Sequence, residues 1–204
     1  MMSNALIIFI KNPVAGYVKT RLARDIGPEN ALKIYLSLCA HTRAQSLRVE
    51  CSRYVYYSQS IISEDDWADA QFFKRLQEGS DLGQRMSNAF QEILAAHDKA
   101  VIIGSDCPGI DSDILNEAFD ALDRNDAVIG PSEDGGYYLL GMNKWHSELF
   151  EDINWSTSEV LPSTLQVLRD LGSSVDTLHA LEDIDTLDDL KNYPSYLELV
   201  SDAR

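Results

Sequence analysis

The sequence predicts an α/β protein, a three-layer α/β/α sandwich around a mostly parallel central sheet. Two observations carry this. Residues 5–10 (ALIIFI) and 100–103 (AVII) are continuous apolar runs of strand length, the mark of strands buried on both faces. Between such runs lie longer stretches with apolar residues at helical spacing, so strand and helix alternate along the chain. The 204 residues suit one domain. No linker, repeat or low-complexity tract divides them, so 1–204 is expected to be a single unit.

Each element has its own local reason. Residues 5–10 form the first strand, and the turn residues 12–16 end it. Residues 28–47 read as a helix, with Ala31, Ile34, Tyr35, Leu38 and Cys39 on one face. Residues 54–57, aromatic and β-branched, give a second strand, and residues 72–76 a short third. A turn at 77–80 leads into a helix with Ser80 as its N-cap and Leu82, Met86, Ala89, Phe90 and Ile93 as its stripe. The strand at 100–103 ends in Gly104-Ser105-Asp106-Cys107-Pro108, and Asp111 or Ser112 opens a helix to about Leu122. Strands at 127–129 and 137–142 flank a Gly-Gly turn. Residues 157–171 are helical, 175–178 form a strand, and Thr186 opens the C-terminal helix.

Composition narrows the function. Hydrophobic residues make up 45% of the chain, enough for a real core. Three cysteines without a CxxC pair give neither a disulfide framework nor a zinc knuckle, and point to a reducing, cytoplasmic setting. The run at 5–10 is too short to span a bilayer and lacks the flanks of a secretory signal, so no membrane insertion is expected. A net charge of −16 disfavours nucleic acid. One local reversal stands out: residues 1–24 hold Lys11, Lys19, Arg21 and Arg24 and no acid. That pattern is either a fluctuation of surface charge or the seat of a small anionic ligand such as a nucleotide.

The loop after the first strand, Lys11-Asn12-Pro13-Val14-Ala15-Gly16-Tyr17-Val18-Lys19-Thr20-Arg21, leads into a helix. Backbone N–H groups at a helix start attract anions, and Lys19 and Arg21 add full charge. Gly16 permits close backbone approach to a ligand. The loop is neither a Walker A motif, which needs Gly-Lys-Ser/Thr, nor the Rossmann fingerprint, which needs several glycines. Asp106 stands at the end of a buried strand, where α/β sheets bind ligands. It is suited either to Mg²⁺, which takes one or two carboxylates plus phosphates, or to capping its own turn. Asp183 and Asp185 share a face of an extended segment, and Asp185 serves either as a metal ligand or as a helix cap. Asp134, before Gly135-Gly136-Tyr137, is placed either in a plain hairpin or where it orients an acceptor hydroxyl and takes its proton. Trp155 either lines a pocket or packs at a helix entry. The four histidines form no metal spacing, and Cys107 reads as a small buried thiol.

Taken in order, Lys11-x-Pro13-x-x-Gly16-x-x-Lys19-Thr20-Arg21-Leu22, Gly79-x-Asp81-Leu82-Gly83-x-Arg85-Met86, Gly104-Ser105-Asp106-Cys107-Pro108, Asp134-Gly135-Gly136-Tyr137-Tyr138-Leu139, Trp155-Ser156-Thr157 and Asp183-Ile184-Asp185-Thr186-x-x-Asp189-Leu190 resemble a bacterial glycosyltransferase-like family. It is the type labelled radical SAM/selenodomain-associated transferase or arsenosugar-biosynthesis glycosyltransferase. The likeness runs from about Ala5 to Leu190. The family is in turn similar to 2-phospho-L-lactate guanylyltransferase and to the molybdenum cofactor nucleotidyltransferases.

The resemblance implies the GT-A-like fold of the nucleotide-diphospho-sugar transferases. It implies that Lys11, Gly16, Lys19 and Arg21 hold phosphates and that Asp81, Gly83 and Arg85 lie near the base or ribose. It further implies that Asp106 and Asp185 bind Mg²⁺ or Mn²⁺, and that Asp134, Gly135, Gly136, Tyr137 and Trp155 face the acceptor. Two departures are plain. The Gly-x-Gly-Thr-Arg loop of many nucleotidyltransferases is replaced by Lys-Thr-Arg, and the Asp-x-Asp of glycosyltransferases by Ser-Asp-Cys. Three functions are therefore carried forward: glycosyl transfer from a nucleotide sugar to a small acceptor, nucleotidyl transfer from an NTP to a small phosphorylated acceptor, and a non-catalytic nucleotide-binding subunit.

Overall fold

In a computed structural model, residues 3–201 of the chain are described. They form a seven-stranded sheet in the order β3-β2-β1-β4-β6-β5-β7. The strands are β1 (Asn4–Ile10), β2 (Ser52–Tyr57), β3 (Phe73–Leu76), β4 (Lys99–Ile103), β5 (Ala127–Pro131), β6 (Tyr137–Met142) and β7 (Val175–Thr177). Strand β6 runs antiparallel to both neighbours, and every other pairing is parallel. The sheet is thus mostly parallel, as the apolar runs require.

Period-two alternation builds the layers. Along β1, Leu6, Ile8 and Ile10 enter one apolar cluster while Ala5 and Ile7 enter the other. Burying a side chain such as Ile7 or Ile8 contributes roughly 1.5–3 kcal/mol. Helices α2 (Pro28–Ser46) and α4 (Ser112–Ala121) cover the first face, through Tyr35, Cys39, Ile114, Leu115 and Phe119. Helices α3 (Leu82–Leu94) and α5 (Val160–Asp170) cover the second, through Met86, Phe90, Ile93 and Leu168. A third, smaller cluster joins α1 (Thr20–Ile26), α2, α6 (Leu187–Lys191) and α7 (Pro194–Ser201) around the fully buried Ile184.

Several boundaries differ from the sequence reading, each for a local reason. Asp81, not Ser80, caps α3, because its carboxylate accepts the Gln84 N–H at 2.9 Å. Helix α5 begins at Val160 rather than 157, since residues 157–159 form a turn in which the Thr157 hydroxyl donates to the Asn154 carbonyl at 2.7 Å and the Val160 N–H to the Thr157 carbonyl at 3.3 Å. The C-terminal helix is two helices. Thr186 and Asp189 close a capping box on α6, and Pro194 restarts the chain as α7. The helix expected after the Lys11–Arg21 loop is α1, whose seven residues are too few to show a period and so to mark its end. Among the described residues no helix is long and apolar enough to cross a membrane.

Candidate active site

A cavity of about 510 Å³ opens where β1, β4 and β6 meet their loops. One wall begins at Lys11, at the end of β1. Tyr35, on α2, clamps this point: its hydroxyl accepts the Lys11 N–H and donates to the Lys11 carbonyl, both at 2.8 Å. Asn12 ties the loop to the next connection, accepting from the Gln59 N–H at 2.9 Å and donating to the Ser60 carbonyl at 2.8 Å. The loop therefore leaves the sheet on a fixed heading and delivers Lys19 and Arg21 to the cavity.

Lys19 adopts a left-handed backbone (φ 45°, ψ 48°) just before α1, a conformation that costs a non-glycine residue about 1–2 kcal/mol. Its side chain is 4% exposed, and its ammonium lies 3.0 Å from Asp185 Oδ1 and 3.3 Å from Asp106 Oδ2. Burial alone would lower its pKa, but the charges of Asp106 and then Asp185 outweigh that and hold it above the usual lysine value. Arg21, more exposed, sits 3.7 Å from Asp185 Oδ2.

The acidic wall is held from two sides. Ile184 is fully buried in the third cluster, so its neighbours Asp183 and Asp185 are both turned to the cavity. The Ile184 N–H donates to the Asp106 carbonyl at 3.3 Å, which binds this segment to the β4 loop. The two carboxylates then behave oppositely. Burial pushes Asp185 up, but the charge and hydrogen bond of Lys19 prevail and hold it below the usual carboxylate range. Asp183 is pushed up to about 7, by burial first and by the charge of Asp106 second, and its Oδ1 is buried with no hydrogen-bond partner. Cys107 is no nucleophile: burial raises its thiol to about 12.

A second wall comes from the β5–β6 turn, which pairs with the chain just before Asp183 through Ser132 and Leu181, and from the segment before α5. Asp134 Oδ1 accepts from Ser132 Oγ at 2.7 Å and from the Gly136 N–H at 3.0 Å, which fixes its orientation. Tyr137, Trp155, Ser156, Thr157 and Val160 continue this wall. Trp155 lies against the first turn of α3. A Cβ on Gly83 would stand 2.3 Å from its indole Nε1, so only glycine permits that contact.

The structure brings together Lys11, Lys19, Arg21, Asp106, Asp134, Gly136, Tyr137, Trp155 and Asp185 around one cavity. It does not bring the others there. Asp81 is committed to capping α3, and Arg85 Nε donates to the Gly79 carbonyl at 3.2 Å. Gly83 is covered by Trp155. Gly16 (φ 81°) makes a turn in open space, and Gly135 (φ 89°) packs against Ser158. Residues that sequence reasoning did not select include Asp183, Ser132, Tyr35 and Gln77. Gln77 lines the cavity with its amide donating to the carbonyls of Ile10 and Tyr56 at 3.0 and 2.9 Å. Asp183 alone had a signal, its alternation with Ile184 and Asp185.

Among the described residues no three His, Cys, Asp or Glu side chains form a ready-made metal cage. The donor set nonetheless fits a hard cation such as Mg²⁺. Such an ion needs only one or two protein carboxylates beside substrate phosphates, and here Asp106, Asp183 and Asp185 line one cavity and leave one buried carboxylate oxygen unpaired.

A twisted, mostly parallel sheet with this cavity at its strand ends is the nucleotide-diphospho-sugar transferase fold. A candidate nucleotide-diphospho-sugar transferase from Desulfovibrio desulfuricans G20 superposes with a TM-score of 0.89 at 28% identity, over 99% of this chain and 95% of that one. The 4-diphosphocytidyl-2C-methyl-D-erythritol synthase of Anaerococcus prevotii superposes at 0.64 with 11% identity, covering 97% and 96%. The inositol-1-phosphate CTP transferase of T. maritima superposes at 0.56 with 16% identity, covering 98% and 95%. At those identities the last two show the fold alone. No curated protein matches the chain in sequence. Residues 42–157 match the model of DUF2064, described as an uncharacterized protein conserved in bacteria, and the chain belongs to that family.

Proposed function

We propose that the chain is a metal-dependent transferase that uses a nucleotide-activated donor and moves a glycosyl group from a nucleotide sugar to a small acceptor. The observation that carries this reading is the convergence of Lys11, Lys19 and Arg21 with Asp106, Asp183 and Asp185 around one cavity at the ligand-binding edge of an α/β sheet. Cations and carboxylates side by side suit a diphosphate together with a divalent cation, and suit neither ligand alone. The likeness to the Desulfovibrio protein supports the nucleotide-sugar donor. The motifs quoted above favour the selenodomain-associated or arsenosugar type within it. Three free cysteines fit work in the cytoplasm. On this reading residues 1–204 form one GT-A-like transferase domain.

The residues act in definite roles. Arg21 grips a phosphate with parallel hydrogen bonds, and Lys11 and Lys19 neutralise the remaining oxygens. Asp106 and Asp185 would hold Mg²⁺ or Mn²⁺, with Asp183 beside them. Bound there, the cation supplies electrostatic stabilisation of the departing diphosphate. Asp134, oriented by Ser132 and Gly136, accepts the proton of the acceptor hydroxyl. Product analysis tests the reading. Incubation with nucleotide sugars and Mg²⁺ should release a nucleoside diphosphate; pyrophosphate released from an NTP instead would establish nucleotidyl transfer. Tight nucleotide binding without either product would leave a binding subunit.

A further inference from the structure

The distribution of charge inside the cavity bears on the acceptor. Among the described residues lining it, the cations are Lys11, Lys19 and Arg21, and all three come from the loop after β1 and the first turn of α1. Lys19 and Arg21 are already engaged with Asp106 and Asp185. A donor diphosphate, with at least two negative charges of its own, would claim what remains of their field. The lining from the β5–β6 turn and the segment before α5 holds no lysine, arginine or histidine. Its single charged group is Asp134, and its broad surfaces are the rings of Trp155 and Tyr137 with Val160 beside them. Hydroxyls of Ser156 and Thr157 complete it.

We infer that the acceptor is uncharged: a hydroxyl-bearing molecule with an apolar or aromatic face, and not a phosphate ester or a carboxylate. The inference rests on the glycosyltransferase reading above and names the acceptor class for that same cavity. An anionic acceptor would meet Asp134 with no cation to offset it, in a chain of net charge −16. A neutral acceptor meets ring faces that reward apolar contact and a carboxylate that receives its hydroxyl. The step balances in this arrangement. The acceptor oxygen attacks the anomeric carbon and forms the new C–O bond. The bond from that carbon to the diphosphate oxygen breaks, and its electron pair leaves with the nucleoside diphosphate. The hydroxyl proton passes to Asp134.

Saturation-transfer NMR on the full chain tests this with two probes that share a ring. Phenyl β-D-glucoside is neutral and hydroxyl-bearing, and phenyl phosphate is dianionic. The protein is first saturated with Mg²⁺ and with whichever of UDP, GDP, CDP, ADP or dTDP raises its melting temperature most, so that the loop cations are occupied. The glucoside should then show transfer to its ring protons, lost in Trp155→Ala, while phenyl phosphate binds at least about tenfold more weakly. Equal or tighter binding of phenyl phosphate overturns the inference, and so does absence of transfer to the glucoside. If none of the five nucleotides raises the melting temperature, the glycosyltransferase reading fails first and takes the inference with it. If one does and the probes reverse, only the acceptor assignment falls.

Discussion

The two walls of the cavity are built on opposite terms. The wall made by the 11–21 loop and the 183–185 segment is a lattice of charges held in place by other charges: Lys19 between two carboxylates, Arg21 against one of them, and Asp183 crowded and partnerless. The wall made by the β5–β6 turn and Trp155 is a lattice of shape: an indole set on a glycine, a tyrosine ring, and one carboxylate steadied by a hydroxyl and a backbone N–H. The first wall is expensive without its ligand, since buried charges repay desolvation only when well paired. The second carries a single charge and one unpaired buried hydroxyl, that of Tyr137. On the proposed reading, the difference would place donor affinity mainly in electrostatics sensitive to salt and metal, and acceptor recognition mainly in contacts of shape.

Substitutions on either wall sharpen that contrast. The largest effect is expected at Asp106. Asp106→Ala removes a carboxylate from the charged wall, and turnover with Mg²⁺ should fall by at least about 100-fold, with the fold intact by circular dichroism. Turnover equal to wild type would remove Asp106 from the site.

Next comes Asp183. Its carboxyl titrates near 7 when folded and at about 3.9 when unfolded, so between those values the folded state binds more protons. Stability must then fall as pH rises from about 4 to 7, by roughly 2–4 kcal/mol if the group acted alone. Melting curves in EDTA should show that loss in the wild type and a flatter profile in Asp183→Asn. Identical profiles would mean that the Asp183 carboxylate is not under strain.

The smallest effect belongs to the other wall. Gly83→Ala drives a methyl group into the Trp155 indole and tilts it. Nucleotide affinity should stay within about twofold, while the acceptor KM rises roughly tenfold, the price of about 1.4 kcal/mol of lost contact. A change in nucleotide affinity instead would show that the two walls are not separable.

The legible parts of this molecule are those where one residue type has one plausible use in its context. Two-sided burial of 5–10 and 100–103 announced a parallel sheet, and the ends of those strands announced Lys11 and Asp106. Lys19 and Arg21 followed from basic charge placed after the first of them, whereas Asp185 was left open between metal ligand and helix cap and took its metal role from the family resemblance. The segment at Asp81, Gly83 and Arg85 was not legible in the same way. A helix start uses an acid, a glycine and a basic residue for capping and packing as readily as a ligand site does. Nothing in the local sequence announces that Gly83 underlies an indole 72 positions away in sequence. Nor does local sequence announce a left-handed lysine. Lys19 sits in that conformation with its ammonium held by Asp106 and Asp185, both far along the chain. Tyr35 and Gln77 escaped notice for a related reason: each was accounted for by a stripe or a turn, while its polar end bonds backbone groups of Lys11, or of Ile10 and Tyr56, at the ends of β1 and β2.

The central claim is that the charged wall holds a diphosphate, and Arg21 is the group on which to measure it. It is exposed, its one ion pair is long, and replacing it leaves the core untouched. Isothermal titration of the best-binding nucleoside diphosphate, with Mg²⁺ present, should give an affinity at least about tenfold weaker in Arg21→Met than in the wild type, and both affinities should weaken as salt is raised. Equal affinities in the two proteins, insensitive to salt, would contradict the account.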